Sequence, residues 1–197
     1  MGDSLTVGET GFTSSVTDES VISYPKYLEA RAQAYLHDHQ SAVRVKVLNK
    51  GVNGDLTSGM LERFSRDVID EAPDYVIVLG GTNDIGWGLD LAIIAHNLTS
   101  MYDAARDKGI SAVACSVPSI LGFDQLIPRR LKLNRTIRRE AEKRKMPFLD
   151  LFATTVDPQS NRLSEGYSSD GLHLNSKGYV RVGEHIFEAW LKNVLDL

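Results

Sequence analysis

Four short segments carry the side chains able to do chemistry: Gly2-Asp3-Ser4-Leu5, Asn49 to Gly54, Gly80-Gly81-Thr82-Asn83-Asp84, and Asp170-Gly171-Leu172-His173. Acyl transfer from an ester needs a nucleophile, a base to take its proton, a group to hold that base, and donors for the developing oxyanion. Ser4 follows a glycine turn that can expose its hydroxyl, which makes it the candidate nucleophile. His173 is the candidate base, because a histidine is largely neutral near pH 7. Asp170 stands three residues earlier, close enough for its carboxylate to accept the imidazole Nδ1 proton if the loop folds back. The backbone N–H groups of Ser4 and Gly54, with the Asn83 carboxamide, are candidate oxyanion donors. A glycine at position 54 lets the backbone approach a reacting carbonyl closely.

Each of these residues also has a plainer reading. Asp170 and His173 could cap the last helix, Asn83 could be a turn residue, and Gly54 could be an ordinary turn glycine. Asp3, Asp55 and Asp84 could gather around a magnesium ion, as in a phosphohydrolase, but that leaves Ser4 and His173 without roles. No metal or organic cofactor is expected.

The elements that must position these groups alternate in period. Tyr75 to Leu79 is apolar throughout, as expected of a central parallel strand buried on both faces. Val43 to Leu48 alternates valines with charges and predicts a half-exposed strand at a sheet edge. Ala112 to Val117 and Phe148 to Leu151 predict two further strands. Between them lie helical patterns: Tyr24 to Leu36 with Pro25 in the first turn, Met60 to Ile69, Ile94 to Ala105 closed by Gly109, Leu133 to Ala141, and Tyr179 to Val194 capped by Asn175 or Ser176. Such alternation predicts one three-layer α/β/α domain over residues 1–197, a flavodoxin-like parallel sheet with helices on both faces. In open α/β sheets ligands bind beyond the carboxyl ends of the strands, which is where the polar segments fall. Two of the loops there, Ile85 to Leu89 with Trp87 and Ser119 to Ile127 with Phe123, are candidates for lining a substrate pocket.

Composition narrows the class. The chain has 197 residues, 22 Lys and Arg against 26 Asp and Glu, and a single cysteine, Cys115. The net charge of -4 argues against a dedicated nucleic-acid binder. Residues 129–145 concentrate basic side chains, a pattern that more often marks a solvated helix face than a binding patch. One cysteine excludes an intramolecular disulfide and a cysteine-rich zinc site. No apolar run is long enough for a membrane span, and no hydrophobic segment follows Met1. A cytoplasmic location is therefore expected, or export if a signal lies upstream; monomer and homo-oligomer both stay open.

Taken together and in order, the four segments resemble the sequence blocks of the SGNH hydrolase superfamily, the GDSL esterases and lipases. The resemblance runs from Gly2 to Asn175. It implies Ser4 as nucleophile, Asp170 and His173 as the other triad members, and Gly54 and Asn83 as oxyanion donors beside Ser4. It further implies a serine esterase without cofactor, acting on a small-molecule ester, with short acyl groups favoured because a small chain has little material for a lid. The chain departs from the family in one respect: an apolar strand usually leads into the serine turn, at mid-sheet, and here only Met1 precedes Gly2. The gap could be closed by pairing Val43–Leu48 with Tyr75–Leu79 or by a strand from another chain. A ligand-binding module that keeps the site without turnover is the competing class.

Overall fold

The computed structural model describes residues 1–8 and 22–196. Three parallel strands form the sheet: β1 (Tyr75–Val78), β2 (Ser111–Cys115) and β3 (Phe148–Leu149), in that spatial order. Tyr75 pairs with Ser111 and Val78 with Ala114, while Ala114 and Cys115 pair with Phe148 and Leu149. The helices are α1 (Ser4–Val7), α2 (Tyr24–Asp38), α3 (Thr57–Glu62), α4 (Thr82–Gly86), α5 (Leu91–Asp107), α6 (Ile127–Arg144), α7 (Leu151–Thr155), α8 (Ser176–Ile186) and α9 (Lys192–Leu195). π-Helical turns at Ser65–Ile69 and Phe187–Leu191 extend the predicted helical stretches after α3 and α8.

Alternation along the strands divides the core in two. Val76, Val78, Ala112 and Ala114 face α3, α5 and α6, packing on Met60, Phe64, Ile94, Leu98, Met101, Leu133 and Ile137. Val113, Cys115 and Leu149 point the other way, onto Leu28 and Ala32 of α2 and Tyr179, Val182 and Ile186 of α8. Side chains of opposite parity thus bury against opposite helical layers, the three-layer α/β/α arrangement. Burial pushes the Cys115 thiol up to about 12, so it sits in the core as an un-ionised apolar group.

Two expectations for the sheet are corrected. Residues 41–50 carry no regular secondary structure. Their backbone groups turn instead to α2: Glu29 accepts from the Val47 N–H, and Gln33 donates to the Val45 carbonyl at 2.6 Å. The charged alternation of Val43–Leu48 therefore reflects a segment laid against a helix, with Val43 exposed. Secondly, β2 is the middle of the three named strands, and the other side of β1 is bonded not by a regular strand but by Met1 and Gly2. Only Tyr75 of β1 is exposed, 41% open and stacked edge-on against Trp190.

The two segments do not pair directly. Gly2 lies between them, forming parallel bridges to Gly51 on one side and Leu79 on the other. Val52 donates to the Gly2 carbonyl at 3.0 Å, Leu79 donates to the Met1 carbonyl at 3.2 Å, and the Met1 nitrogen donates to the Ile77 carbonyl at 3.0 Å. A side chain at position 2 would place Cβ 2.6 Å from the Leu79 carbonyl oxygen, so only glycine fits this slot.

The basic run at 129–145 is largely committed to internal partners. Arg130 is buried and donates to the Pro118 carbonyl, Arg138 pairs with Asp150, and Arg144 pairs with Asp103 and Glu140. Among the described residues no helix is long and apolar enough to cross a membrane.

Packing on the sheet gives a direct stability test. Leu133 is fully buried between α6 and β2, whereas Ile93 is 57% exposed on α5. Leu133→Ala is expected to cost about 2–5 kcal/mol and Ile93→Ala within about 0.5 kcal/mol, read from urea midpoints at constant slope.

Candidate active site

The chain turns sharply at Asp3. Its side chain caps α1 by accepting from the Leu5 N–H at 3.0 Å, and its carbonyl accepts from Thr6 and Val7. Gly8, in the left-handed region at φ 99°, closes the helix by donating to the Ser4 carbonyl. These bonds occupy the first-turn donors of Leu5, Thr6 and Val7, while the Ser4 N–H has no partner among the described residues. The serine is thus presented at the start of a helix, with its own amide available.

Asp170 organises the other end of the chain. Its Oδ1 accepts from the Leu172 and His173 N–H groups at 2.9 and 2.8 Å, a turn of the kind aspartate makes readily. Its Oδ2 lies 2.7 Å from His173 Nδ1. His173 Nε2 lies 3.1 Å from Ser4 Oγ, across 169 positions of sequence. Ser4 and His173 are each only 6% exposed. Burial disfavours the Asp170 carboxylate, but the His173 ring and the two backbone donors outweigh it and hold this acid below the usual carboxylate range. An ionised Asp170 fixes the imidazole with its proton on Nδ1, leaving Nε2 to accept from the serine hydroxyl.

The other two segments meet beside Ser4's turn. Gly54 has φ 72°, a backbone shape suited to glycine, and its N–H has no partner among the described residues. Asn83, in the first turn of α4, donates its Nδ2 to the Asp55 carbonyl at 2.9 Å. One amide hydrogen of Asn83 therefore ties the two segments together, and an amide carries two.

Trp87 follows the Asn83 segment at the end of α4, and Phe123 lies on a loop bonded to the Asp170 segment. The Trp87 N–H donates to the Asn83 carbonyl, which places Trp87 one helical turn along α4. Phe123 stands two residues beyond Leu121, whose N–H donates to the Gly171 carbonyl at 2.8 Å. Both rings are exposed, at 77% and 54%. Cavities of about 310 and 420 Å³ lie elsewhere, one at the amino ends of β2 and β3 and one between α5 and α6.

The three aspartates considered for a metal go to separate partners. Asp3 caps α1, Asp55 pairs with Arg63 at 2.8 Å, and Asp84 accepts from Thr57. Among the described residues no group of three or more His, Cys, Asp or Glu side chains could hold a metal ion.

Sequence reasoning missed Arg63. This guanidinium donates to the Gly2 carbonyl at 2.9 Å and the Lys50 carbonyl at 3.0 Å, and pairs with Asp55 and with Asp67 at 2.6 Å. It ties the turn before the serine to the segment carrying Gly54. No local pattern marks it, since two of its four partners are backbone carbonyls brought near by the fold.

A model of the GDSL-like lipase/acylhydrolase family matches residues 1–181, and the chain belongs to that family. Its reaction class is accordingly the hydrolysis of carboxylic esters. It is 22% identical over 148 residues to the acetylxylan esterase of Geobacillus stearothermophilus, covering 69% of this chain and 68% of that protein. The solved lipase/acylhydrolase of Enterococcus faecalis superposes with a TM-score of 0.74 at 26% identity, over 95% of this chain and 91% of that one. The chain also aligns at 27% identity with the N-acylneuraminate cytidylyltransferase of Escherichia coli, over 73% of its own length but only 35% of that longer protein.

Asp3 offers a pH test. Burial pushes its carboxyl up to about 6 from an ordinary 3.8, against the opposing pull of the Leu5 N–H, Arg130 and His173. The folded chain keeps this proton to about pH 6, while the unfolded chain releases it near 3.8, so the contribution is complete at low pH and lost as pH rises through 6. Asp3→Asn keeps a capping side chain and is expected to gain stability on the parent between about pH 4 and 6, by up to about 3 kcal/mol, and then level off. Urea midpoints of both proteins across that range check this; a difference independent of pH overturns it.

Proposed function

We propose that the protein is a serine esterase that hydrolyses short-acyl carboxylic esters through an acyl-enzyme on Ser4. One observation carries this reading: the unbroken line from Asp170 Oδ2 to His173 Nδ1 at 2.7 Å and from His173 Nε2 to Ser4 Oγ at 3.1 Å. His173 takes the hydroxyl proton as Ser4 Oγ bonds to the ester carbonyl carbon, and the carbonyl electron pair moves onto oxygen. The Ser4 and Gly54 N–H groups and the Asn83 amide receive that oxyanion. Collapse of the tetrahedral adduct breaks the bond to the alkoxy oxygen, and the His173 imidazolium protonates the departing alcohol. Water then adds to the acyl-enzyme with His173 again as base, releasing the carboxylic acid and restoring Ser4. Asp170 holds the imidazole and stabilises its charged form throughout.

Trp87 and Phe123 form apolar walls for the acyl or alcohol group in this reading, on the oxyanion and histidine sides respectively. An acetyl ester of a carbohydrate, the substrate class named for the Geobacillus relative, fits the same preference for a small acyl group.

A serine-directed phosphonate should label the protein, and Ser4→Ala should abolish both labelling and turnover of p-nitrophenyl acetate, with a fall in kcat on the order of 10⁴–10⁶. Asn83→Ala should lower kcat by about 10²–10³ with little change in KM. Turnover of p-nitrophenyl esters should decline from acetate to longer acyl chains; an optimum at long chains, or labelling that survives in Ser4→Ala, overturns the corresponding part of the reading.

A further inference from the structure

Beneath the proposed oxyanion hole lies a buried polar cluster with no part in the proton relay. Asp84 follows Asn83 on α4 and is almost fully buried. Its carboxylate accepts from the Thr57 N–H, at 3.2 Å to Oδ1 and 3.0 Å to Oδ2, and from the Thr57 hydroxyl at 2.6 Å. The Thr57 hydroxyl in turn accepts from Asn97 Nδ2 of α5 at 3.1 Å. Thr57 is the first residue of α3, three positions after Gly54, and is itself buried.

We infer that Asp84, through Thr57 and Asn97, is a positioning residue that sets the spacing between the Asn83 amide and the Gly54 N–H. The inference rests on the proposed role of those two groups as oxyanion donors. Adjacent residues of α4 grip one short segment at two points: Asn83 holds the Asp55 carbonyl at 2.9 Å, and Asp84 holds the start of α3 at Thr57. The Gly54 N–H lies just outside the two grips. Oxyanion donors stabilise a transition state only when they are aimed where the charge develops, so an error of a fraction of an ångström is felt in kcat. A carboxylate suits the task because it accepts several hydrogen bonds at once, and buried charge-assisted bonds resist distortion. Asn97 completes the arrangement by fixing the Thr57 hydroxyl: with its own proton directed to Asp84, that oxygen is left as an acceptor.

The test compares Thr57→Val with Thr57→Ser in turnover of p-nitrophenyl acetate. Valine keeps the shape and the backbone donor but removes the hydroxyl. It should lower kcat by about 10–100-fold and leave KM within about threefold. Serine, which keeps the hydroxyl, should restore kcat to within roughly threefold of the parent. In the double variant Asn83→Ala/Thr57→Val, the combined loss should fall well short of the product of the two single losses, since one of the two donors being spaced is already gone. Equal turnover in the valine and serine variants overturns the inference, as do losses that multiply in the double variant. Disappearance of the cooperative urea transition in Thr57→Val alone also overturns it, because the cluster would then be supporting the core. Failure of the parent reading is distinct: Ser4→Ala or Asn83→Ala would themselves retain turnover.

Discussion

The site depends on a single narrow slot at the carboxyl end of the sheet, the one that Gly2 occupies between Gly51 and Leu79. A residue bridged on both sides has little freedom, and the two that follow are fixed by the cap and first turn of α1. That is how a side chain at position 4 meets an imidazole at position 173. Arg63 reinforces the slot by donating to the Gly2 and Lys50 carbonyls, which also accept from the Val52 and Gly2 N–H groups. In an α/β sheet the loops at strand ends are held by the strands they follow. Here the first of those loops is held chiefly by bridges and a guanidinium.

Buried charge is handled differently at each acid. Asp170 is kept ionised by three donors and sits where an imidazolium would form. Asp84 accepts from Thr57 of α3 and has no ion pair among the described residues. Asp3 has one donor and a second oxygen without a partner, and burial pushes it toward the neutral form. Asp3 and Asp170 are thus pushed in opposite directions, the condition under which neighbouring carboxyls can have different tasks.

Much of this was legible in the residues. Runs such as Ala112–Val117, stopped by Pro118, mark a strand because all but Ser116 are apolar, and the structure buries β2 accordingly. The four polar segments were legible as chemistry because three pair a functional side chain with a glycine or turn residue and the other offers a glycine N–H. Val43–Leu48 misled because alternation reports that one face is covered, not what covers it; α2 does so in place of a neighbouring strand. Arg63 and the Thr57–Asn97 pair were invisible because their roles arise from partners 61 and 40 positions away. Asp84 stood out by type but not by use, since a lone aspartate reads equally as a metal ligand or as an acceptor for backbone donors.

Rigid and open parts of the site are divided by residue chemistry. Ser4 and His173 are buried, and Asn83 is held by its part-buried bond to the Asp55 carbonyl. Trp87 and Phe123, by contrast, project from loop and helix-end positions with most of their surface in water. Bonds of the first kind constrain geometry tightly because breaking one strands a polar group away from solvent. Exposed rings carry no such penalty for turning, so on the proposed reading walls built from them adapt to different ester groups without disturbing the line from Asp170 to Ser4. On the proposed reading, selectivity in this protein is therefore weakly coupled to the chemical step: the walls set which ester enters, and the buried polar frame sets how fast it reacts.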